Sequence, residues 1–331
     1  MITVAINGFG RIGRRVFRLL QDYPNVNIVA INDLSDVKTL SHLLKYDSIH
    51  GIFKGDVSHD ATHIIANGKK VVLLNHNHPK DINWNPYNVD FVIEASGKFK
   101  TKEALEYHIK NGAKRVILSV PPETDDIKTI VLGVNEAILD GSEKIISNAS
   151  CTTNNAAPMI AVIKDLCGIN EAYITTIHSY TTDQSLHDQP HRDLRRARAA
   201  GQSIVPTTTG AAKALTKIFP ELSNAIGGCG IRVPVANGSL TDITFNVQKT
   251  VTIDEVNAAF KTAAQYQYKG VLEYTEDPIV SIDIVGNTHS CIFDAQMTSV
   301  IGNMVKIIGW YDNETGYSSR VIDLIINLSR K

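Results

Sequence analysis

Two residues of this chain can do covalent and proton chemistry together, Cys151 and His178. Cys151 stands in Ser147-Asn148-Ala149-Ser150-Cys151-Thr152-Thr153-Asn154-Asn155. The lead-in Lys144-Ile145-Ile146 has strand character. Met159, Ile160, Val162, Ile163 and Leu166 follow at helical spacings of three and four. The thiol is therefore expected at a helix start, where backbone N–H groups and the helix dipole favour a thiolate. A lone cysteine is as often a packing residue, so its reading depends on what else the chain presents. His178 closes the apolar run Ala172–Ile177. A histidine at a strand end is more often structural than catalytic. Beside a cysteine at a helix N-terminus it gives a thiolate–imidazolium couple whose ring can take and return a proton.

The elements before this stretch read as a nucleotide-binding frame. The apolar run Ile2–Ile6 leads into Asn7-Gly8-Phe9-Gly10-Arg11-Ile12-Gly13, and Val16, Phe17, Leu19 and Leu20 give a helical face. In this strand–turn–helix, Gly8 permits the tight turn, Gly10 the approach of a pyrophosphate, and Gly13 close helix–strand packing. Phosphate falls at the helix N-terminus, beside Arg11 and Ile12. A second strand, Asn27–Asn32, ends in Asp33, 20 residues after Gly13. That acid suits an adenosine ribose and repels a 2′-phosphate, so NAD is expected over NADP. Further strands end at Ser96-Gly97 and at Ser119, where doubly wound sheets bind their ligand. Thr129–Gly133 reads as one more strand, and the alternation to about residue 150 predicts a parallel sheet. His76 and His78, in a polar loop with no third ligand nearby, read as solvated, and no metal is expected.

After Cys151 the texture changes. A long polar segment to about residue 204 holds Arg192, Arg195, Arg196 and Arg198, which suits an anion site or a subunit contact. Pro206-Thr207-Thr208-Thr209-Gly210 precedes a helix and offers hydroxyl and N–H groups to a phosphate. Strands are expected at Ile231–Val235, Leu240–Val247, Val280–Ile284, Ser290–Asp294 and Met304–Tyr311, and a last helix at Ser318–Leu328. This half reads as α+β with a largely antiparallel sheet.

Composition narrows the class. The 331 residues exceed what one core usually holds. A net charge of −1 gives no basic stripe, so neither nucleic acid nor an anionic membrane is expected as partner. No apolar run approaches the ~20 residues of a membrane span. Four scattered cysteines and no basic leader read as free thiols in a reducing compartment, and the cytoplasm is the expected location.

With these motifs in hand, the chain resembles the phosphorylating glyceraldehyde-3-phosphate dehydrogenase family over essentially its whole length. The resemblance is carried by Ile6–Arg14, Ser147–Asn154, Arg232-Val233-Pro234 and Trp310-Tyr311-Asp312-Asn313-Glu314-Thr315-Gly316-Tyr317. It implies an α/β Rossmann NAD-binding domain over residues 1–150, joined by the C-terminal helix 315–331, and an α+β catalytic domain over 151–314 with a mixed, largely antiparallel sheet. It implies Cys151 as nucleophile and His178 as its base. The C3 phosphate of glyceraldehyde 3-phosphate would meet Thr181 and Arg232. Inorganic phosphate would meet Ser150, Thr152, Arg196, Thr209 and Gly210. Asn313 would bind the nicotinamide carboxamide, with Tyr317 close by. The 180–203 segment would pack near a neighbour's cofactor in a homotetramer.

The chain departs from the family pattern at Asn155, where many members carry a second cysteine. At 189–190 it has Gln-Pro, against the Leu-Pro of NAD-strict members. An erythrose-4-phosphate dehydrogenase would share the fold and the Cys–His pair. A surface-binding role is a reading of another class, which no motif here encodes.

Overall fold

Strands apolar on both faces have to lie inside a sheet covered on both sides. In the computed structural model, which describes residues 1–330, they do. Contacts divide the chain into two compact units: Met1–Ile130, Ala137–Ala149 and the chain from Ser318 in the first, Val131–Glu136 and Ser150–Tyr317 in the second.

The first unit contains β1 (Ile2–Asn7), β2 (Val26–Asn32), the small hairpin β3 (Tyr46–Asp47) and β4 (Gly51–Ile52), then β5 (Val57–His59), β6 (His63–Ala66), β7 (Lys69–Leu74), β8 (Phe91–Glu94), β9 (Arg115–Leu118), β10 (Lys128–Thr129) and β11 (Ile145–Ser147). Its helices are α1 (Arg11–Leu20), α2 (Val37–Lys45) and α3 (Lys102–Lys110). Nine strands form one sheet in the order β10-β11-β9-β8-β1-β2-β7-β6-β5. From β10 to β7 all pairings are parallel, whereas β5, β6 and β7 pair antiparallel. Of that antiparallel edge the sequence reading gives only Val71–Leu74 of β7; β5 is missed because Val57-Ser58-His59 is short and polar. The core under the sheet packs Trp84, Ile82, Val92, Leu105, Val116 and Leu118.

The second unit contains α4 (Cys151–Cys167), β12 (Ile169–Ser179), β13 (Val205–Thr207), α5 (Ala211–Ile218), β14 (Ile226–Val233), β15 (Ser239–Val247), α6 (Ile253–Gln265), β16 (Leu272–Thr275), β17 (Cys291–Asp294), β18 (Ser299–Ile301) and β19 (Met304–Tyr311); α7 (Thr315–Ser329) follows. The sheet runs β13-β14-β12-β15-β19-β17-β16, with β18 paired to β19. It is mixed: β12–β14 and β16–β17 are parallel and the other pairs antiparallel. The α4 helix is buried along nearly its whole length from Thr152 to Ile163.

Three expectations need correction. Val280–Ile284 is a run of turns, not a strand. The Asp283 carboxylate accepts the Val280 N–H at 2.7 Å, and Val280 and Ile282 are exposed, so no sheet neighbour claims them. The strand expected at Thr129–Gly133 stops at Thr129, because the Val131 N–H donates to Asn135 Oδ1 and the Val131 carbonyl accepts from Val134. His78 is packed, not solvated: its ring meets Phe99 and Tyr107 edge-on, and its Nδ1 accepts the Lys80 N–H. Among the described residues no helix is long and apolar enough to cross a membrane, and no three His, Cys, Asp or Glu side chains are grouped to hold a metal.

Candidate active site

In the second unit the nucleophile is placed by a helix cap and the base by a strand end. Ser150 caps α4, its hydroxyl accepting the Thr153 N–H at 3.1 Å, so Cys151 is the first helical residue. Ala149, two residues before Cys151, is held at φ +56°, a strained conformation for a residue with a Cβ. His178 is the penultimate residue of β12, and parallel pairing sets Arg232 of β14 directly beside it. The helix start and the two strand ends meet: Cys151 Sγ lies 3.5 Å from His178 Nε2. Arg232 Nη1 lies 2.6 Å from His178 Nδ1 and donates to the Ser179 carbonyl at 3.0 Å. Beneath them Tyr311 sets its ring edge-on to His178, and its hydroxyl joins those of Thr152 (2.9 Å) and Thr176 (2.8 Å).

Burial and one cation set the charges. Burial pushes the Cys151 thiol up, while the Arg232 guanidinium and hydrogen bonds from Thr152 pull it down. Burial, then Arg232, lowers the His178 imidazole to about 3, against a weaker upward pull from the Ser179 carbonyl. Arg232 and Thr152 therefore favour the thiolate half of the couple expected from sequence, while burial and Arg232 act against its imidazolium half. Arg232 already supplies the positive charge, and a second one on the touching ring is unfavourable. Both influences favour the uncharged imidazole, the form of the ring that can accept a proton.

Around this centre, Asn313 Oδ1 accepts from Ser179 Oγ (2.8 Å), Ser239 Oγ (3.0 Å) and the Gly238 N–H (3.3 Å). The oxygen is saturated, which fixes the amide orientation and turns its NH2 to any ligand. Asp312 caps α7, accepting the N–H groups of Glu314 and Thr315. Tyr317 is buried in that helix. Arg196 is held away from a free role: it donates to Thr207 Oγ1 (3.0 Å) and the Thr208 carbonyl (3.3 Å) and pairs with Asp183. Thr209 accepts the Ala211 N–H, and Gly210 caps α5. Thr181 is half-buried just after β12.

In the first unit, Gly8, Gly10, Asp33 and Ser96 line one pocket together with His76 and Lys98. Gly8 has φ +95°, and a Cβ there would lie 2.5 Å from the Ser96 nitrogen; a Cβ on Gly13 would lie 2.2 Å from the Gly8 carbonyl oxygen. Open space faces Gly10, and no side chain caps α1, so its first N–H groups can take a phosphate. Asp33 accepts from the N–H groups of Phe9 (2.8 Å) and Ser35 (3.0 Å). The donor set suits a dinucleotide. Arg11 instead pairs with Asp47 at 2.6 Å, and Ile12 lies in the first turn of α1. Gly97 has φ +70° and Ser119 follows β9.

Sequence reasoning missed Tyr311, Thr176, Ser179 and Ser239 around the thiol, and Asn7, Asn32 and Lys98 in the pocket. Thr176 was accessible, since residues two apart on a strand share a face with His178. Tyr311 was not, because its partners lie 135 and 159 residues away.

Residues 2–102 match the family model described as glyceraldehyde 3-phosphate dehydrogenase, NAD binding domain, and residues 150–313 that family's C-terminal domain. The chain is 54% identical over 328 residues to glyceraldehyde-3-phosphate dehydrogenase 2 of Streptomyces avermitilis, covering 98% of each. It is 49% identical over 332 residues to the Geobacillus stearothermophilus enzyme of that name, covering 100% of this chain and 99% of that one. To the Thermotoga maritima enzyme it is 50% identical over 328 residues, 98% of each chain.

Proposed function

Because the chain belongs to the glyceraldehyde-3-phosphate dehydrogenase family, we propose that it oxidises D-glyceraldehyde 3-phosphate to 1,3-bisphosphoglycerate, using NAD and inorganic phosphate. The observation that carries this reading is the 3.5 Å approach of Cys151 Sγ to His178 Nε2, with Arg232 against the other ring nitrogen.

The Cys151 sulfur attacks C1 of the aldehyde, and its proton passes through His178 Nε2 to the carbonyl oxygen. The product is a hemithioacetal. His178 then takes the hydroxyl proton while the C1 hydride leaves with its electron pair; bound NAD supplies the acceptor. A thioester on Cys151 remains and keeps the oxidation energy. A phosphate oxygen attacks C1, the C–S bond breaks, and the sulfur is reprotonated. Arg232 and Thr181 hold the C3 phosphate. Ser150, Thr152, Arg196, Thr209 and Gly210 receive the attacking phosphate, with Arg196 exchanging its Asp183 partner for the incoming anion. Asn313, with its oxygen saturated, would offer its NH2 to the nicotinamide carboxamide of bound NAD, with Tyr317 close by.

The first unit, with the terminal helix, is the NAD domain in this reading, and the second is the catalytic domain. Gly8, Gly10, Arg11, Ile12, Gly13, Asp33, Ser96, Gly97 and Ser119 bind the dinucleotide, and the charge of Asp33 disfavours a 2′-phosphate. We infer a homotetramer in the cytoplasm. In its support, the 180–204 segment exposes Leu186, Leu194 and Ile204 at 78, 82 and 70%, apolar side chains that a neighbouring subunit would cover. All four cysteines are free.

The test is NADH formation from glyceraldehyde 3-phosphate with and without phosphate, and with NADP in place of NAD. Turnover should require phosphate and prefer NAD. Equal rates without phosphate would move the assignment to a hydrolysing dehydrogenase.

A further inference from the structure

One buried group in the first unit is used by none of these steps. Glu94 ends β8 with 1% exposure, and among the described residues no lysine or arginine pairs with it. Its Oε1 accepts the Ser96 N–H (2.9 Å) and hydroxyl (2.5 Å). Its Oε2 accepts from Asn7 Nδ2 (2.5 Å) and faces His108 Nε2 (3.1 Å). His108 and Trp84 are fully buried. The Trp84 indole, which can only donate, lies 3.0 Å from His108 Nδ1. That nitrogen must therefore accept, so Nε2 carries the proton and gives it to Glu94. On the other side, Asn32 Nδ2 donates to Asn7 Oδ1 (2.8 Å) and to the His76 carbonyl, and Asn32 Oδ1 accepts the His76 N–H (2.9 Å).

The donors of Trp84 through His108, of Asn32 through Asn7, and of Ser96 converge on Glu94, while the second Asn32 N–H goes to the His76 carbonyl. The bonds step from strand to neighbouring strand along the carboxyl edge of the sheet, from β8 to β1 to β2 and on to the loop after β7. Asn7, Asn32, Ser96 and His76 all line the pocket that holds Gly8, Gly10 and Asp33. The two asparagine amides have one allowed orientation each. The Ser96 proton is spent on Glu94, so toward the pocket its oxygen can only accept.

We infer that Trp84, His108 and Glu94 are positioning residues for the dinucleotide. They fix which polar atoms of Asn7, Asn32 and Ser96 face the ligand, and hold the two lips of the pocket at a set spacing. A ligand hydroxyl such as a ribose carries can donate to the Ser96 oxygen, which besides Glu94 meets only the Lys98 N–H. The inference rests on the first unit being the NAD domain.

The experiment titrates the full-length enzyme with NAD for Kd, and measures KM for NAD, kcat at saturating NAD, KM for phosphate and Tm. Glu94→Gln puts an amide NH2 against existing donors. His108→Leu removes the donor. Both should raise Kd and KM for NAD about tenfold, with kcat and KM for phosphate unchanged. His108→Gln can accept from Trp84 and donate to Glu94, so it should bind NAD within about twofold of the parent. Trp84→Phe, the mildest change, releases the ring tautomer and should weaken NAD binding severalfold even if the others fold poorly. A lowered Tm with unchanged NAD affinity in Glu94→Gln and Trp84→Phe would reduce the network to packing and overturn the inference, as would His108→Gln binding no better than His108→Leu. Failure of the parent itself to bind NAD would instead overturn the domain reading.

Discussion

Removing the Arg232 charge tests whether that guanidinium, and not an imidazolium, is the cation that supports the nucleophile. Arg232 Nη1 is 2.6 Å from His178 Nδ1, and Nε2 of the same ring is 3.5 Å from Sγ. With the width of the ring between, the charge lies within about 8 Å of the sulfur. At an effective dielectric of about 20 a unit charge at that distance is worth about 2 kcal/mol, or about 1.5 pH units. Cys151 and Arg232 are both half-buried, so solvent screening brings the expectation nearer to about one unit.

The sign follows from which form the charge favours. Arg232 pulls the thiol down, so Arg232→Gln should raise it. The variant also frees His178 from one of its two main downward influences, but burial, the larger, remains. The ring then stays uncharged in the alkaline range where the thiol titrates, and it cannot replace the lost cation. The assay is the rate of alkylation by iodoacetamide against pH, without substrate. An uncharged reagent reports thiolate fraction directly, and loss of the proposed phosphate contact does not enter. The midpoint should move up by about one pH unit in Arg232→Gln and by much less in Arg232→Lys. A midpoint that stays put, or falls, in Arg232→Gln would refute the charge assignment.

Three other substitutions probe separate parts of the structure. His178→Asn should slow acylation about 10²–10⁴-fold, the usual worth of a general base, read in a pre-steady-state burst; near-parental turnover would remove His178 from the mechanism. Asn155 donates to the Gly309 and Trp310 carbonyls, one helical turn beyond Cys151. Asn155→Cys should put a resolving thiol there, so that activity after mild peroxide returns faster with dithiothreitol; unchanged recovery would show that the two sulfurs do not meet. Arg115 donates at 2.6 Å to both the Leu328 carbonyl, in the last turn of α7, and the Gly141 carbonyl. Arg115→Ala should cost about 1.5–3 kcal/mol, seen as a fall in Tm with kcat unchanged.

What the sequence made legible was local. The glycine turn, the helix starting at Cys151 and the strand ending at His178 each depend on residues within a few positions of one another, and pattern suffices for them. Val280–Ile284 misled because alternation also occurs in exposed turns, and Asp283 supplies a local acceptor that competes with a ladder. The roles of Arg196 and Arg232 divided for the same reason. Both are arginines near phosphate-binding segments, yet strand register fixes Arg232 against His178, while Asp183 and Thr207 claim Arg196.

The buried polar residues of the first unit show where the limit lies. Asn7, Asn32 and Glu94 each end a strand whose interior is apolar, and a polar residue at that point is visible in the sequence. Its meaning is not. Asn7 reaches Glu94 only because β1 lies between β8 and β2, and that order is non-consecutive. A strand end is also where backbone pairing stops, so a side chain there must find its own partners or lose about 1–3 kcal/mol for each buried group left unmet. The sheet order decides which partners are in reach. A polar residue ending an apolar strand therefore marks the ligand-binding edge, but the hydrogen bonds that make it work belong to the topology.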